Sequence, residues 1–197
     1  TGWVDGGWST AARRRGHEII TLEIEGMFNP TICGDILRVS VQDIIDACGG
    51  RVPDVVYASP PCEGFSVVVI GKNWDNWDSE KKAIAQKHIL AGKQTPASVA
   101  PYPKTQSAKL GRRLLLKTLE LIEGLKELNP RLFWWLENPR GMMRYQPEMS
   151  TLKRATIPPA AYPEPAASSL GLLGDPHEGA NGLLPPQKPT DLWGDWP

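Results

Sequence analysis

At 197 residues the chain is long enough to bury one sizeable core and short for two full domains. Its 41% hydrophobic and 22% charged content is that of a globular protein. No apolar run approaches the roughly 20 residues that span a bilayer, and no secretory signal is visible in residues 1–15, so no membrane association is expected and a cytoplasmic setting is. Positive and negative side chains balance at 22 each, which gives no bulk electrostatic pull toward nucleic acid; any DNA contact has to come from a local patch.

The opening TGWVDGGWSTA places Gly2, Gly6 and Gly7 ahead of a helix that Ser9 or Thr10 would open. After a Gly16 turn, HEIITLEIE (17–25) is rich in β-branched residues and reads as a strand ending in two acids. Ser40 precedes Val41, Ile44, Ile45 and Cys48 at helical spacing, with Asp43 three residues after the serine; this predicts a capped helix that Gly49 and Gly50 stop. A nearly continuous apolar run over 52–58 then leads into SPPC and fits a strand buried on both faces.

Beyond a loop rich in Trp, Asn and Asp, a charged helix is expected over 79–90, followed by a Pro-containing connection over 95–103; this middle region reads as a mobile lid. A long helix over 105–128 carries Leu114, Leu121, Leu125 and Leu128 as one stripe, with Leu115 and Ile122 beside it. Asn129 and Pro130 end it, and RLFWWLENP (131–139) reads as a second buried strand. Eight prolines between Pro158 and Pro189, among many Ala, Gly and Ser, predict an irregular segment over 158–187. The closing element over 188–197, beginning KPTDLW, regains aromatic anchors and is expected to dock back on the domain formed by 1–157. Eight Trp in all serve as core and contact anchors.

Strands alternating with helices imply an α/β fold with a mostly parallel sheet, and in such sheets ligands bind at the carboxyl ends of the strands. That rule selects residues 23–25, 34–35, 59–66 and 137–140. Cys33, Cys48 and Cys62 are an odd count without metal-ligand spacing, so free thiols are expected and neither a disulfide framework nor a metal site is. Of the three, Cys62 has a chemical context. Pro60 and Pro61 fix their φ angles and donate no hydrogen bond, forming a stiff exit from the strand, and Gly64 permits a turn. Glu137 follows a strongly apolar strand beside Asn138 and Pro139 and is a candidate for a partly desolvated carboxyl, or else a simple ion-pair partner of Arg140 or Arg144. A thiol and a carboxyl on two strand ends of one sheet suit a mechanism in which one attacks a ring carbon while the other handles a ring nitrogen.

SPPCEGFS (59–66) and WWLENPRG (134–141), in this order and at this separation, resemble two signature motifs of the DNA cytosine-5 methyltransferases, in particular the small phage-type members. The resemblance implies a three-layer Rossmann-like fold that binds S-adenosylmethionine, with DNA as the partner and a bacterial host cell as the setting if the chain is phage-encoded. It implies that Cys62 adds to carbon 6 of a cytosine flipped out of the duplex, because a stacked base hides that atom. Glu137 would hold and protonate ring nitrogen 3, with Asn138 and Pro139 positioning the carboxyl. For the cofactor it implies that Gly2, Gly6 and Gly7 cradle the methionine part, Glu23 accepts from the ribose hydroxyls, Ile24 lies against the adenine, Asp35 receives the adenine amino group, and Pro60 lines the same site. No metal is required.

The chain also departs from that pattern. The strand that precedes the glycine loop in the family is not in the sequence, and the proline-rich stretch stands where phage-type relatives carry a strand segment just before KPTD, so the first strand and the C-terminal strand region are expected to be incomplete. No arginine is placed for the flipped base beyond Arg140 and Arg144 as stand-ins. Nor is there a separate target-recognition domain, so sequence specificity would be slight, or come from the loop over 72–104 or from another protein. Two alternatives stay open: a silent nucleotide- or DNA-binding module, and an enzyme adding a different one-carbon group at cytosine carbon 5.

Overall fold

The computed structural model describes residues 7–66, 70–75, 78–157 and 189–195. Helix α1 (Gly7–Arg14) leads into β1 (Leu22–Glu23) and β2 (Ile32–Cys33), which pair in parallel, Leu22 beside Ile32 and Glu23 beside Cys33. The strand expected over 17–25 is thus only two residues long, because its partner offers only two residues of ladder. Thr21 and Thr31 start the pair by exchanging hydrogen bonds, each backbone N–H donating to the other's hydroxyl at 3.3 and 3.0 Å. Helix α2 (Val41–Ala47) has the full capping box: the Ser40 hydroxyl accepts from the Asp43 N–H, and the Asp43 carboxylate accepts from the Ser40 N–H at 2.7 Å. Gly49 and Gly50, with φ of +65° and +82°, turn the chain out of it.

Strand β3 (Val55–Ala58) follows, then the short helix α3 (Ile70–Asn73), β4 (Trp74–Asp75) and α4 (Ser79–Leu90), whose N-cap Asp78 accepts from the Lys81 N–H. Strand β5 (Tyr102–Pro103) pairs antiparallel with β4, and Thr105 caps the long helix α5 (Gln106–Leu128). Strand β6 (Phe133–Pro139), a 3₁₀ turn over Met142–Tyr145, β7 (Arg154–Ile157) and β8 (Thr190–Asp195) complete the described chain. The region expected to be a lid is anchored at a few points: Trp74, Ala85 and Thr95 are buried, the Thr95 N–H donates to the Ser150 hydroxyl at 2.8 Å, and Gln86 donates to the Tyr145 hydroxyl, while most of its other described residues are exposed.

The class is α/β. The larger sheet has the order β3-β6-β8-β7: β3 and β6 run parallel, while β8 is antiparallel to both of its neighbours. Consequently β7 runs in the same direction as β3 and β6, with β8 reversed between them. Within the closing element, Thr190–Asp195 is therefore an inner strand of this sheet, with Trp193 fully buried. Gly194 sits opposite Trp135, where a Cβ would come within 2.9 Å of the Trp135 Cα. Among the described residues no strand joins the β1–β2 pair to this sheet.

One face of the sheet, from Trp134, Leu136 and Trp193, packs with Leu115 and Ile122 of α5 and with Met142 and Met143. Burying each such side chain contributes about 1.5–3 kcal/mol. The buried face of α5 centres on Ala108, Gly111, Leu115, Thr118, Ile122 and Leu125; Leu128 of the expected stripe is exposed. Two strands expected to be buried on both faces are not. Strand β3 has no fully buried residue and Val55 is 52% exposed, because among the described residues it has a strand neighbour on one side only. Strand β6 alternates, Trp134, Leu136 and Asn138 buried and the residues between them partly exposed. No described helix is long and apolar enough to cross a membrane.

Candidate active site

Parallel pairing sets Ala58 beside Leu136, so the chain leaves β3 just where β6 reaches Glu137 and Asn138. Two side-chain bonds fasten this corner, one from each face of β6. The Ser59 hydroxyl donates to Glu137 Oε2 at 2.7 Å, and Asn138 Nδ2, buried, donates to the Pro60 carbonyl at 2.8 Å. Pro60 is buried and Pro61 exposed, and Cys62 follows with its side chain exposed, at the start of a 3₁₀ turn over Glu63–Phe65.

That turn is held from three further directions. The indole N–H of Trp74 donates to the Gly64 carbonyl at 2.7 Å, and the Trp74 ring stacks on Phe65 with centroids 5.6 Å apart. A Cβ on Gly64 would lie 2.8 Å from the Ser107 carbonyl oxygen, and one on Gly111 would lie 3.2 Å from the Phe65 ring, so α5 packs backbone to backbone against the turn. Gly141, just past β6, lies so close that a Cβ there would collide with the Phe65 carbonyl oxygen. Contacts from α5, β4, β6 and the loop after β6 thus fix the backbone around Cys62.

The three thiols differ in environment. Cys48 is buried, and burial first, then the Glu18 carboxylate, pushes its thiol up, which disfavours the nucleophilic thiolate. Cys33 is exposed, and its Sγ lies 3.9 Å from the Ile24 carbonyl. Cys62 is exposed on the loop after β3, three residues beyond Ser59, whose hydroxyl holds Glu137, whereas Cys33 ends β2 as the register partner of Glu23.

Of the predicted site residues, the structure joins Pro60 directly to Asn138 and, through Ser59, ties the loop that carries Cys62 to Glu137, with Pro139 next along β6. Glu23, Ile24 and Asp35 form a second group around the β1–β2 pair. Glu23 Oε1 accepts from the Ile24 N–H at 2.8 Å, Asp35 Oδ1 accepts from the Leu37 N–H at 3.0 Å, and the Ile24 side chain is 61% exposed. Among the described residues no hydrogen bond joins the two groups; the second reaches the rest through the 3₁₀ turn Ile36–Arg38, which Asp35 caps, and through α2, both packed on α5, where a Cβ on Gly124 would meet Val41 Cγ2 at 2.7 Å. Gly2 and Gly6 lie outside the described residues. Gly7 is the first residue of α1, so helical structure begins before the Ser9 or Thr10 start the sequence suggested.

Arg144 is a correction. Its guanidinium grips the fully buried Asp191 of β8 with bonds of 2.5–2.9 Å, and Asp191 also accepts from Thr156 of β7 at 2.6 Å. It is therefore neither the partner of Glu137 nor free for a base, and Arg140 alone of the two stand-ins is exposed. Arg154, which the sequence did not single out, is half-buried near Arg144, and burial followed by that like charge lowers its pKa from the usual arginine value. Ser59 lay in the selected segment 59–66 without a role, since only the β3–β6 register shows that it reaches Glu137.

Two open clefts lie elsewhere. One of about 480 Å³ is lined by Gln106, Ser107, Lys109, Leu110 and Arg113 on the first turns of α5. Another of about 330 Å³ runs between the end of α4 and residues 149–154. Compared with models of known protein families, with curated proteins and with solved structures, the chain has no significant match.

Proposed function

We propose that the chain transfers a methyl group from S-adenosylmethionine to carbon 5 of cytosine in DNA, on an α/β fold of the Rossmann-like methyltransferase type. The observation that carries this reading is the corner where two parallel strands end: an exposed thiol on a loop fixed from several sides, and a carboxylate bound by the serine three residues before that thiol. The two motifs whose resemblance suggested the chemistry are, in space, this one corner.

Each group has a task the geometry suits. Cys62 adds to carbon 6 of a cytosine turned out of the helix, and Glu137 holds the proton at ring nitrogen 3, which makes carbon 5 electron-rich. Asn138, through its bond to the Pro60 carbonyl, locks the loop to β6, and Pro139 stiffens the strand exit behind the carboxylate. After the methyl group is in place, loss of the carbon 5 proton and departure of Cys62 release 5-methylcytosine and restore the thiol.

S-adenosylmethionine would supply, when bound, an electrophilic methyl group on a sulfonium, whose S–CH3 bond breaks with the electron pair left on sulfur as the neutral thioether S-adenosylhomocysteine. The second group of residues fits its adenosine half. Glu23 and Asp35 each have one carboxylate oxygen engaged by a backbone N–H, leaving the other for a hydroxyl or amino donor, and Ile24 offers an exposed apolar surface to a ring. A patch for DNA is also at hand. Lys109 and Arg113 share the cleft on α5, whose first turn carries no acid, and Ser107 in that turn touches the Gly64 backbone two residues from Cys62.

The test is transfer of labelled methyl from S-adenosylmethionine to duplex DNA, compared with Cys62→Ser, which is expected to lose at least about a thousandfold in rate. Undiminished transfer by Cys62→Ser would overturn the reading. The mass of the product base distinguishes methyl from any other one-carbon group.

A further inference from the structure

We infer that Ser59 is a positioning residue that chooses which oxygen of Glu137 faces the cytosine; the inference rests on the methyltransferase reading and deepens it. A glutamate turns about three side-chain bonds, and a carboxylate has two equivalent oxygens. Holding a ring nitrogen through one proton requires one oxygen in one orientation.

The backbone is already fixed here. Asn138 ties β6 to the Pro60 carbonyl from the buried face, and the ladder ends with Ala58 beside Leu136. What is left undetermined is the carboxylate itself, and the Ser59 hydroxyl, donating to Oε2 at 2.7 Å, removes that freedom. Oε2 could accept a second hydrogen bond, but a proton on Oε2 would compete with the serine hydrogen for the same edge of the group. Oε1 is therefore the oxygen that shares a proton with ring nitrogen 3, and Ser59 steadies the opposite oxygen as charge builds on the base. Because Ser59 immediately precedes the rigid Pro60 and Pro61, it couples the carboxylate to the loop that carries Cys62, so the attacking atom and the ring-nitrogen partner are set in one frame.

The reach from 59 to 137 is a consequence of register. Ser59 is one residue past Ala58, and Glu137 one past Leu136, so both side chains leave adjacent strands at the same level. A one-residue slip of β3 would send the hydroxyl to the other face.

The experiment compares the parent with Ser59→Ala, Ser59→Thr and Ser59→Val, the last two nearly identical in shape and differing in the hydroxyl. Methyl transfer to duplex DNA gives kcat and KM. Formation of a covalent adduct with duplex DNA containing 5-fluorocytosine, where fluorine blocks release, reports the Cys62 addition step. Ser59→Ala and Ser59→Val are expected to lose about tenfold to a hundredfold in kcat and in adduct rate with KM for DNA within about twofold, while Ser59→Thr stays within about threefold of the parent. Equal rates for the Thr and Val variants would overturn the inference, because packing rather than the hydroxyl would then matter; so would a loss confined to KM, or parent-like kcat in the Ala variant. In those outcomes Cys62-dependent transfer by the parent leaves the methyltransferase reading standing, whereas a parent that transfers no methyl group overturns both.

Discussion

The corner around Cys62 and the acid pair on β1–β2 are built in opposite ways. The Cys62 loop is fixed by partners from β4, α5, β6 and the loop after β6, many of them far along the chain: Ser59 and Glu137 are 78 residues apart, as are Asn138 and Pro60. Glu23 and Asp35 are held by backbone N–H groups one and two residues away, on a two-residue ladder, with Ile24 largely exposed between them. On the proposed reading the contrast has a reason: placing a nucleophile would need precision that only several independent contacts supply, whereas acids accepting hydrogen bonds from a ligand would tolerate a looser mount.

Substitutions can break or sharpen that contrast. The largest effect is expected for Arg144→Ala, which leaves Asp191 fully buried without its cation and cuts the link between β8, β7 and the turn after β6; chemical denaturation should show a loss of about 3–5 kcal/mol. A variant as stable as the parent would mean that the wall behind the corner does not depend on this pair. Gly64→Ala comes next. Its Cβ meets backbone, not a yielding side chain, so a stability loss of about 1–3 kcal/mol and a fall in methyl transfer are expected together. Normal activity in that variant would show the corner to be less rigid than its contacts imply.

On the other side of the comparison, Glu23→Ala is expected to change stability by no more than about 0.5 kcal/mol, while calorimetry shows weaker S-adenosylmethionine binding. A large destabilisation would make the acid structural. The smallest effect is pH-dependent and lies in the α2 cap. Hydrogen bonds from the Ser40 hydroxyl and backbone N–H hold the Asp43 carboxyl below the ordinary aspartate value of 3.8. Its folded-state pKa is depressed, so its contribution is present above the ordinary value and is lost as pH falls through the folded one. Thermal melts of parent and Asp43→Asn should therefore differ slightly near neutrality and converge in acid; a gap that widens in acid would contradict the sign.

Much of this was legible in the chain itself. The α2 capping box, the Gly49–Gly50 stop, the Asn129 end of α5 and the strands carrying VVYA and FWWLENP follow from local chemistry, in which a cap, a left-handed glycine or an apolar run acts within a few residues. The motif residues Cys62 and Glu137 were likewise visible, because proline and strand-end context is written in sequence. The exposure of β3 was not legible, since an apolar run says that burial is available but not whether a neighbour arrives. Nor was the inner position of β8, which depends on a partner more than fifty residues away.

The sequence by itself determined the caps and stops of α2 and α5 and which side chains could do chemistry, because capping, turn geometry and hydrophobic period are short-range effects. Only the tertiary structure decided which of those side chains meet. The parallel register of β3 and β6 hands Glu137 to Ser59 and Pro60 to Asn138, and the reversed β8 takes Arg144 away from the site and gives it to Asp191. Register and strand order are set by the summed packing of the whole core, so no local segment encodes them.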